Sequence, residues 1–205
     1  MTLASERVGL DWAVTGSALD GDASGDLHLV IPGRSQSLVC VMDGLGHGRD
    51  ARRASDECAA SLKAHAGAPL IDLVQHAHES LRATRGVAMT LALVDHDAAR
   101  LEWVAIGNVE GLVLRRGLPR GTMHDAVVQR GGVVGYRLPP LKRSEVALAP
   151  NDLIVLATDG IKSGISEGLD LSLGVQELAD HIARRFTKGS DDALVLVVRY
   201  LGGGA

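Results

Sequence analysis

The chain has 205 residues, 46% of them apolar, with a formal net charge of −4; that size fits one globular domain burying roughly 70% of its unfolded surface. The mildly acidic balance and the five aromatic residues (two Trp, two Tyr, one Phe) exclude a general nucleic-acid binder, which needs a basic groove and stacking rings. No apolar run approaches the ~20 residues of a membrane span, and residues 1–7 lack the basic start and long apolar stretch of a secretion signal.

In chain order, residues 8–18 read as a strand and residues 27–31 as its neighbour across the loop 20–25. Residues 37–42 form a third strand with little polar interruption, as a central position requires. Ala51, Ala54, Cys58, Ala59 and Leu62 keep helical spacing within 49–66, with Gly67 as a stop. Pro69 opens a second helix with Leu70, Leu73, Val74, Ala77 and Leu81 on one face. Strands follow at 87–94, 101–106 and 111–114, separated by the turns Asp95-His96-Asp97 and Gly107-Asn108. Residues 117–150 are rich in Gly, Pro and Arg, with short strands around 126–128. A strong strand at 153–157, a helix at 172–186 and a last strand at 193–200 complete the pattern. Strands, two helices, many strands, a helix and a strand indicate an α+β sandwich of mostly antiparallel sheets. A single domain over residues 1–201 with a flexible Gly-rich tail, 202–205, is expected. Cys40 in a core strand and Cys58 in a helix read as buried free thiols of a cytoplasmic protein.

Asp43-Gly44-Leu45-Gly46-His47-Gly48 is the most informative stretch. It links the apolar run 38–42 to the first helix, and its three glycines let the backbone turn and approach a ligand. Two other apolar runs meet acids in the same way. Residues 153–157 lead into Thr158-Asp159-Gly160, and 193–198 follow Ser190-Asp191-Asp192. Asp26, in Ser24-Gly25-Asp26, heads the second strand. One such acid is an ordinary turn signal; four at strand ends point to a carboxylate-walled cation site. Mg²⁺ and Mn²⁺ prefer oxygen ligands and keep several waters, so a few aspartates and a carbonyl suffice. Two ions about 3.5–4 Å apart can activate one water against phosphorus. Asp43 is the natural bridging ligand with the Gly44 carbonyl beside it. Asp26, Asp159 and Asp191 complete the set, with Asp192 an open alternative to Asp191.

In this combination and order the motifs resemble those of metal-dependent type 2C (PPM) protein phosphatases of the bacterial SpoIIE-like branch. The matching pieces are Gly25-Asp26, the Asp43–Gly48 stretch, Ala157-Thr158-Asp159-Gly160 and Asp191-Asp192; Gly107-Asn108 and Gly131-Gly132-Val133-Val134-Gly135 are similar too. The resemblance covers nearly the whole chain. It implies a four-layer α-β-β-α sandwich, two Mn²⁺ or Mg²⁺ ions held by Asp26, Asp43, Gly44, Asp159 and Asp191, and hydrolysis of phosphoserine or phosphothreonine in a protein. Chain length adds a likeness to the free-standing stressosome phosphatases. That implies phosphorylated STAS-domain partners of the RsbS and RsbR type, reset after stress signalling. From composition neither nucleic acid nor membrane is expected as a partner, and a monomer is expected with the oligomeric state left open.

Two positions depart from eukaryotic relatives. Leu45 stands where they carry a histidine, and no arginine lies between Thr15 and Gly25 to bind phosphate. His47 and Arg49 are the candidates to contact or support the phosphate, against simpler roles in capping or packing and on a solvated helix face. Arg49, Arg52 and Arg53 together read as an exposed face. His76 and His78, two apart on a helix, make a poor metal pair, and Thr90 reads as core. Two other functions are weighed. Asp43-Gly44-Leu45-Gly46 is similar to a box of histidine-kinase-like ATPases, which need an asparagine-bearing helix upstream where this chain has strands. The other is a phosphatase fold that docks partners without turnover.

Overall fold

In the computed structural model, which describes residues 9–19, 23–116 and 122–202, four layers stack with helices outside and two sheets between. One sheet runs β2 (Asp26–Ile31), β3 (Gln36–Gly44), β4 (Val87–Asp95), β5 (Arg100–Ile106) and β8 (Gln129–Arg130), with β9 (Ser144–Ala147) also on β5. The other runs β1 (Leu10–Ser17), β11 (Ala193–Tyr200), β10 (Leu153–Ala157), β6 (Glu110–Arg116) and β7 (Thr122–Ala126). Among these pairs β5 and β8 alone are parallel. Helices α1 (Gly48–Ala64) and α2 (Leu70–Ser80) cover the first sheet, and α3 (Val175–Phe186) covers the second.

The unbroken apolar runs follow from this layering, because each inner strand is buried on both faces. Cys40 and Met42 of β3 meet Ala54, Cys58 and Leu62 of α1, while Val39 and Val41 face the other sheet. Leu196 and Val198 of β11 face inward too; Val195 and Val197 meet Leu178 and Ile182 of α3. Both cysteines are buried and free. Among the described residues no helix is long and apolar enough to cross a membrane.

The α+β sandwich is as expected, with one correction in connectivity. β1 does not pair with β2. It pairs along its full length with β11, from Leu10 opposite Tyr200 to Ser17 opposite Ala193, and β2 pairs with β3 in the other sheet. The loop after β1 is therefore a crossing between sheets rather than a hairpin; its middle, residues 20–22, lies outside the described residues. Boundaries shift where polar side chains capture the backbone. The last helix starts at Val175 rather than 172, because Asp170 accepts the Ser172 N–H at 3.0 Å and Glu177 accepts the Gly174 N–H at 3.1 Å. Pro69 caps α2 rather than joining it. The strands expected around 126–128 lie either side of residues 127–128, as β7 and β8. Residues 117–121 and 203–205, parts of the Gly-rich stretch and of the tail, lie outside the described residues.

Candidate active site

Both sheets end at the same edge of the sandwich, and the four acids arrive there from different strands. Asp26 and Asp43 stand directly opposite each other in the β2·β3 ladder. Asp159 follows β10, and Asp191 precedes β11 in the facing sheet. Asp43, Asp159, Asp191 and Asp192 line one cleft of about 530 Å³, together with Leu45, Gly46, His47, Gly48, Ala88 and Asn108. Asp26 is buried, 6% exposed, behind them.

Glycine lets these elements close up. A Cβ at Gly44 would lie 2.1 Å from the Ala51 carbonyl oxygen, and one at Gly160 only 1.9 Å from that of Asp192. The first approach seats α1 on the end of β3; the second draws the Asp159 turn against the Asp191-Asp192 segment. The Gly25 carbonyl accepts the Gly44 N–H at 3.1 Å and the Ser55 hydroxyl at 2.5 Å, tying α1 to the loop before Asp26.

Two residues that the sequence reading gave no site role, Thr158 and Asn108, organise the acids together with Asp192, the open alternative to Asp191. The Thr158 hydroxyl donates to Asp26 Oδ2 at 2.7 Å while accepting the Leu194 N–H at 2.9 Å. Asn108 Nδ2 donates to Asp159 Oδ2 at 2.6 Å. Asp192 accepts the N–H groups of Leu19 and Gly25, each at 2.9 Å, one on each carboxylate oxygen. It thereby pins both ends of the sheet-crossing loop, whereas Asp191 is exposed and, among the described residues, accepts the Asp192 N–H on Oδ1 alone. A polar Thr directly after five apolar residues was the available signal for Thr158; Gly107-Asn108 read as a turn that also resembles the family's core, with no role attached to the amide.

The electrostatics match a cation site. Burial pushes the Asp43 carboxyl up to about 8, helped by Asp26, Asp159, Asp191 and Asp192. Burial likewise raises Asp26 to about 7 against the Thr158 hydrogen bond, with Asp192, Asp159 and Asp191 adding to the rise. Such crowding of carboxylates is unfavourable for the protein alone and is relieved by positive charge. Among the described residues no three Asp, Glu, His or Cys side chains already close around one point. Mg²⁺-type sites retain several waters and need only a few carboxylates at one edge, so the donor set fits.

His47 is the N-cap of α1, but its side chain makes no capping hydrogen bond; it lines the cleft instead. Arg49 lies on the exposed face of α1 and Arg52 bonds Asp56 at 2.9 Å, as a solvated face would. Thr90 donates to the Val109 carbonyl at 2.7 Å inside the core. His78 accepts the Gly135 N–H at 2.9 Å, and His76 stacks on His65, so the two do not share a ligand.

A β-sandwich with helices on both outer faces and an acid-lined cleft at its edge is the architecture of PP2C-type serine/threonine phosphatases, the enzyme class to which this chain belongs. It belongs, within that class, to the family of Stage II sporulation protein E (SpoIIE), whose model matches residues 33–201. The fold is similar to a structure reported for the bacterial stressosome, described as a modular system adapted to control secondary messenger signalling. There the TM-score is 0.82 at 27% identity, over 93% of this chain and 99% of that one. RsbX in complex with magnesium gives 0.81 at 16% identity, over 93% and 94%. The PP2C phosphatase domain of SpoIIE from Bacillus subtilis, solved with a fragment of its regulatory domain, gives 0.73 at 20%, over 94% and 62%. No curated protein sequence matches the chain.

Proposed function

We propose that the chain is an Mn²⁺- or Mg²⁺-dependent phosphatase, acting in the cytoplasm, that removes phosphate from serine or threonine of STAS-domain stressosome proteins. The observation that carries the metal-dependent chemistry is Asp43 sharing one cleft with Asp159 and Asp191, with Asp26 paired to it across β2·β3 and buried behind. The likeness to a stressosome structure at 27% identity supports the substrate class, and the likeness to RsbX with magnesium supports the cation.

Asp26, Asp43, the Gly44 carbonyl, Asp159 and Asp191 would hold the ions. When bound, they supply Lewis-acid activation of water and neutralise charge on the transferring phosphoryl group. The chain's own residues hold the geometry. Thr158 holds Asp26 and Asn108 holds Asp159 by hydrogen bonds, and Asp192 ties Leu19 to Gly25. Asp191 rather than Asp192 fits the ligand role, since both Asp192 oxygens already accept backbone N–H groups. Asp43 and Asp159 are the positions on which turnover depends.

Phosphate release from a phosphoserine STAS-domain protein, with Mn²⁺ or with EDTA, for wild type and Asp159→Asn, tests the reading. Turnover that needs both the metal and Asp159 is expected. Hydrolysis of a generic aryl phosphate alone would keep the chemistry and discard the partner. Metal binding with no hydrolysis of either would instead favour a docking module.

A further inference from the structure

A phosphate dianion has to enter a cleft walled by aspartates, and among the described residues lining it there is neither Lys nor Arg. A guanidinium nevertheless lies against the glycine loop that forms part of the wall. We propose that Arg85 binds the substrate's phosphate, and that Asp50 holds its guanidinium at the cleft edge until the phosphate replaces that carboxylate. The proposal rests on the phosphatase reading above.

The position of Arg85 is tightly determined. It follows the 3₁₀ turn Leu81–Ala83 and precedes β4, whose Ala88 lines the cleft. Next to it, the Gly86 carbonyl accepts the Leu45 N–H at 3.0 Å and the Gly86 N–H donates to Thr84 Oγ1 at 3.0 Å. The Val134 carbonyl oxygen lies 2.5 Å from where a Cβ on Gly86 would stand, so this backbone cannot shift outward. From that fixed point the side chain runs along the Asp43–Gly48 loop. Its Nη1 lies 2.7 Å from the Cβ position of Gly46, a residue at φ +90°. Its Nη2 donates to Asp50 Oδ2 at 2.8 Å.

The chemistry suits exchange. Both partners are exposed, the side chains at 50% and 65%, and an exposed ion pair adds little to stability. Asp50 is therefore easily displaced by a stronger acceptor. A planar guanidinium with parallel N–H donors matches phosphate oxygens better than it matches a single carboxylate oxygen.

A purely structural pair would behave differently, and calorimetric titration of inorganic phosphate separates the two roles. It is run on the Mn²⁺-loaded and metal-free protein for wild type, Arg85→Ala, Arg85→Lys and Asp50→Ala, beside KM and kcat on a phosphoprotein. Arg85→Ala is expected to weaken phosphate binding roughly 10–100-fold and to raise KM in proportion. Arg85→Lys should fall between, since it keeps charge and loses the fork. Asp50→Ala, by freeing the guanidinium, should tighten phosphate roughly threefold. Unchanged binding in Arg85→Ala, no phosphate binding by wild type, or Arg85→Ala and Asp50→Ala shifting the same way would overturn the proposal. Arg85-dependent phosphate binding without phosphoprotein turnover would leave it standing and reject the phosphatase reading instead.

Discussion

Asp43-Gly44 and Asp159-Gly160 are the same dipeptide at the end of an apolar strand, yet the two occupy different surroundings. Asp43 lies inside the ladders of β3, between Asp26 on one side and Ala88 on the other, and burial lifts its carboxyl to about 8. Asp159 stands in a turn beyond β10, half-buried, with the Asn108 amide as its donor. The glycines, by contrast, do the same job in both places, letting a neighbouring carbonyl come closer than any side chain would allow. The shared motif thus encodes a packing requirement at its second residue. The ionisation of its first residue is decided by what packs around it.

The largest effect should come from breaking what the two sites share. Gly44→Ala and Gly160→Ala each place a Cβ about 2 Å from a backbone oxygen, for a loss of roughly 3 kcal/mol or more. Thermal unfolding should show a drop in Tm of about 6–12 °C. Gly131→Ala, with open space at that position, should stay within about 0.5 kcal/mol of wild type.

Next in size is the effect that separates the two acids. Both Asp43→Asn and Asp159→Asn should cost turnover about 10³-fold or more, but only the first should stabilise the metal-free protein. In the folded state Asp43 and Asp26 are raised from 3.8 to about 8 and about 7, so the native state holds more protons than the unfolded one. Stability of the metal-free protein therefore falls as pH rises from about 4 to about 8 and levels off above. Tm in EDTA should decrease between pH 5 and pH 8, Asp43→Asn should flatten that slope, and excess Mn²⁺ should abolish it. A wild-type Tm that does not move would refute the electrostatic picture. The smallest effect is expected from Asn108→Ala, which leaves Asp159 without its donor. A fall in kcat/KM of about tenfold with a change in stability below about 1 kcal/mol would mark it as a positioning residue.

Much of the sandwich was legible because two-sided burial leaves long apolar runs, and those runs lead straight to Asp43, Asp159 and Asp191. Sheet membership was not legible in the same way. β1 alternates no more clearly than a hairpin strand would, and its partner, β11, lies at the far end of the chain. Local sequence carries no trace of that pairing. The acids could be picked out because carboxylates at strand ends are unusual; their supports could not. Thr158 becomes a site residue only when the sheets face each other, as its contact with Asp26 crosses from one sheet to the other, whereas Asn108 meets Asp159 where the β6·β10 ladder runs on past Glu110 and Ala157. Arg85 was not legible either, since its relation to Gly46 and Asp50 exists only once β3 and β4 are paired and the loop after β3 is folded.

The inter-sheet layer also has a consequence for how such a site can be tuned. Asp26 and Asp43 ride on one sheet, while Asp159 and Asp191 ride on the other. The layer of Val39, Val41, Leu156, Leu196 and their neighbours therefore acts as a calliper whose opening is the gap between the two pairs of acids. A methyl group gained or lost in that layer, far from the solvent and touching no ligand, would alter the spacing at the edge. Selection for a different cation or a different turnover rate can then act through hydrophobic volume alone, leaving every acidic residue in place.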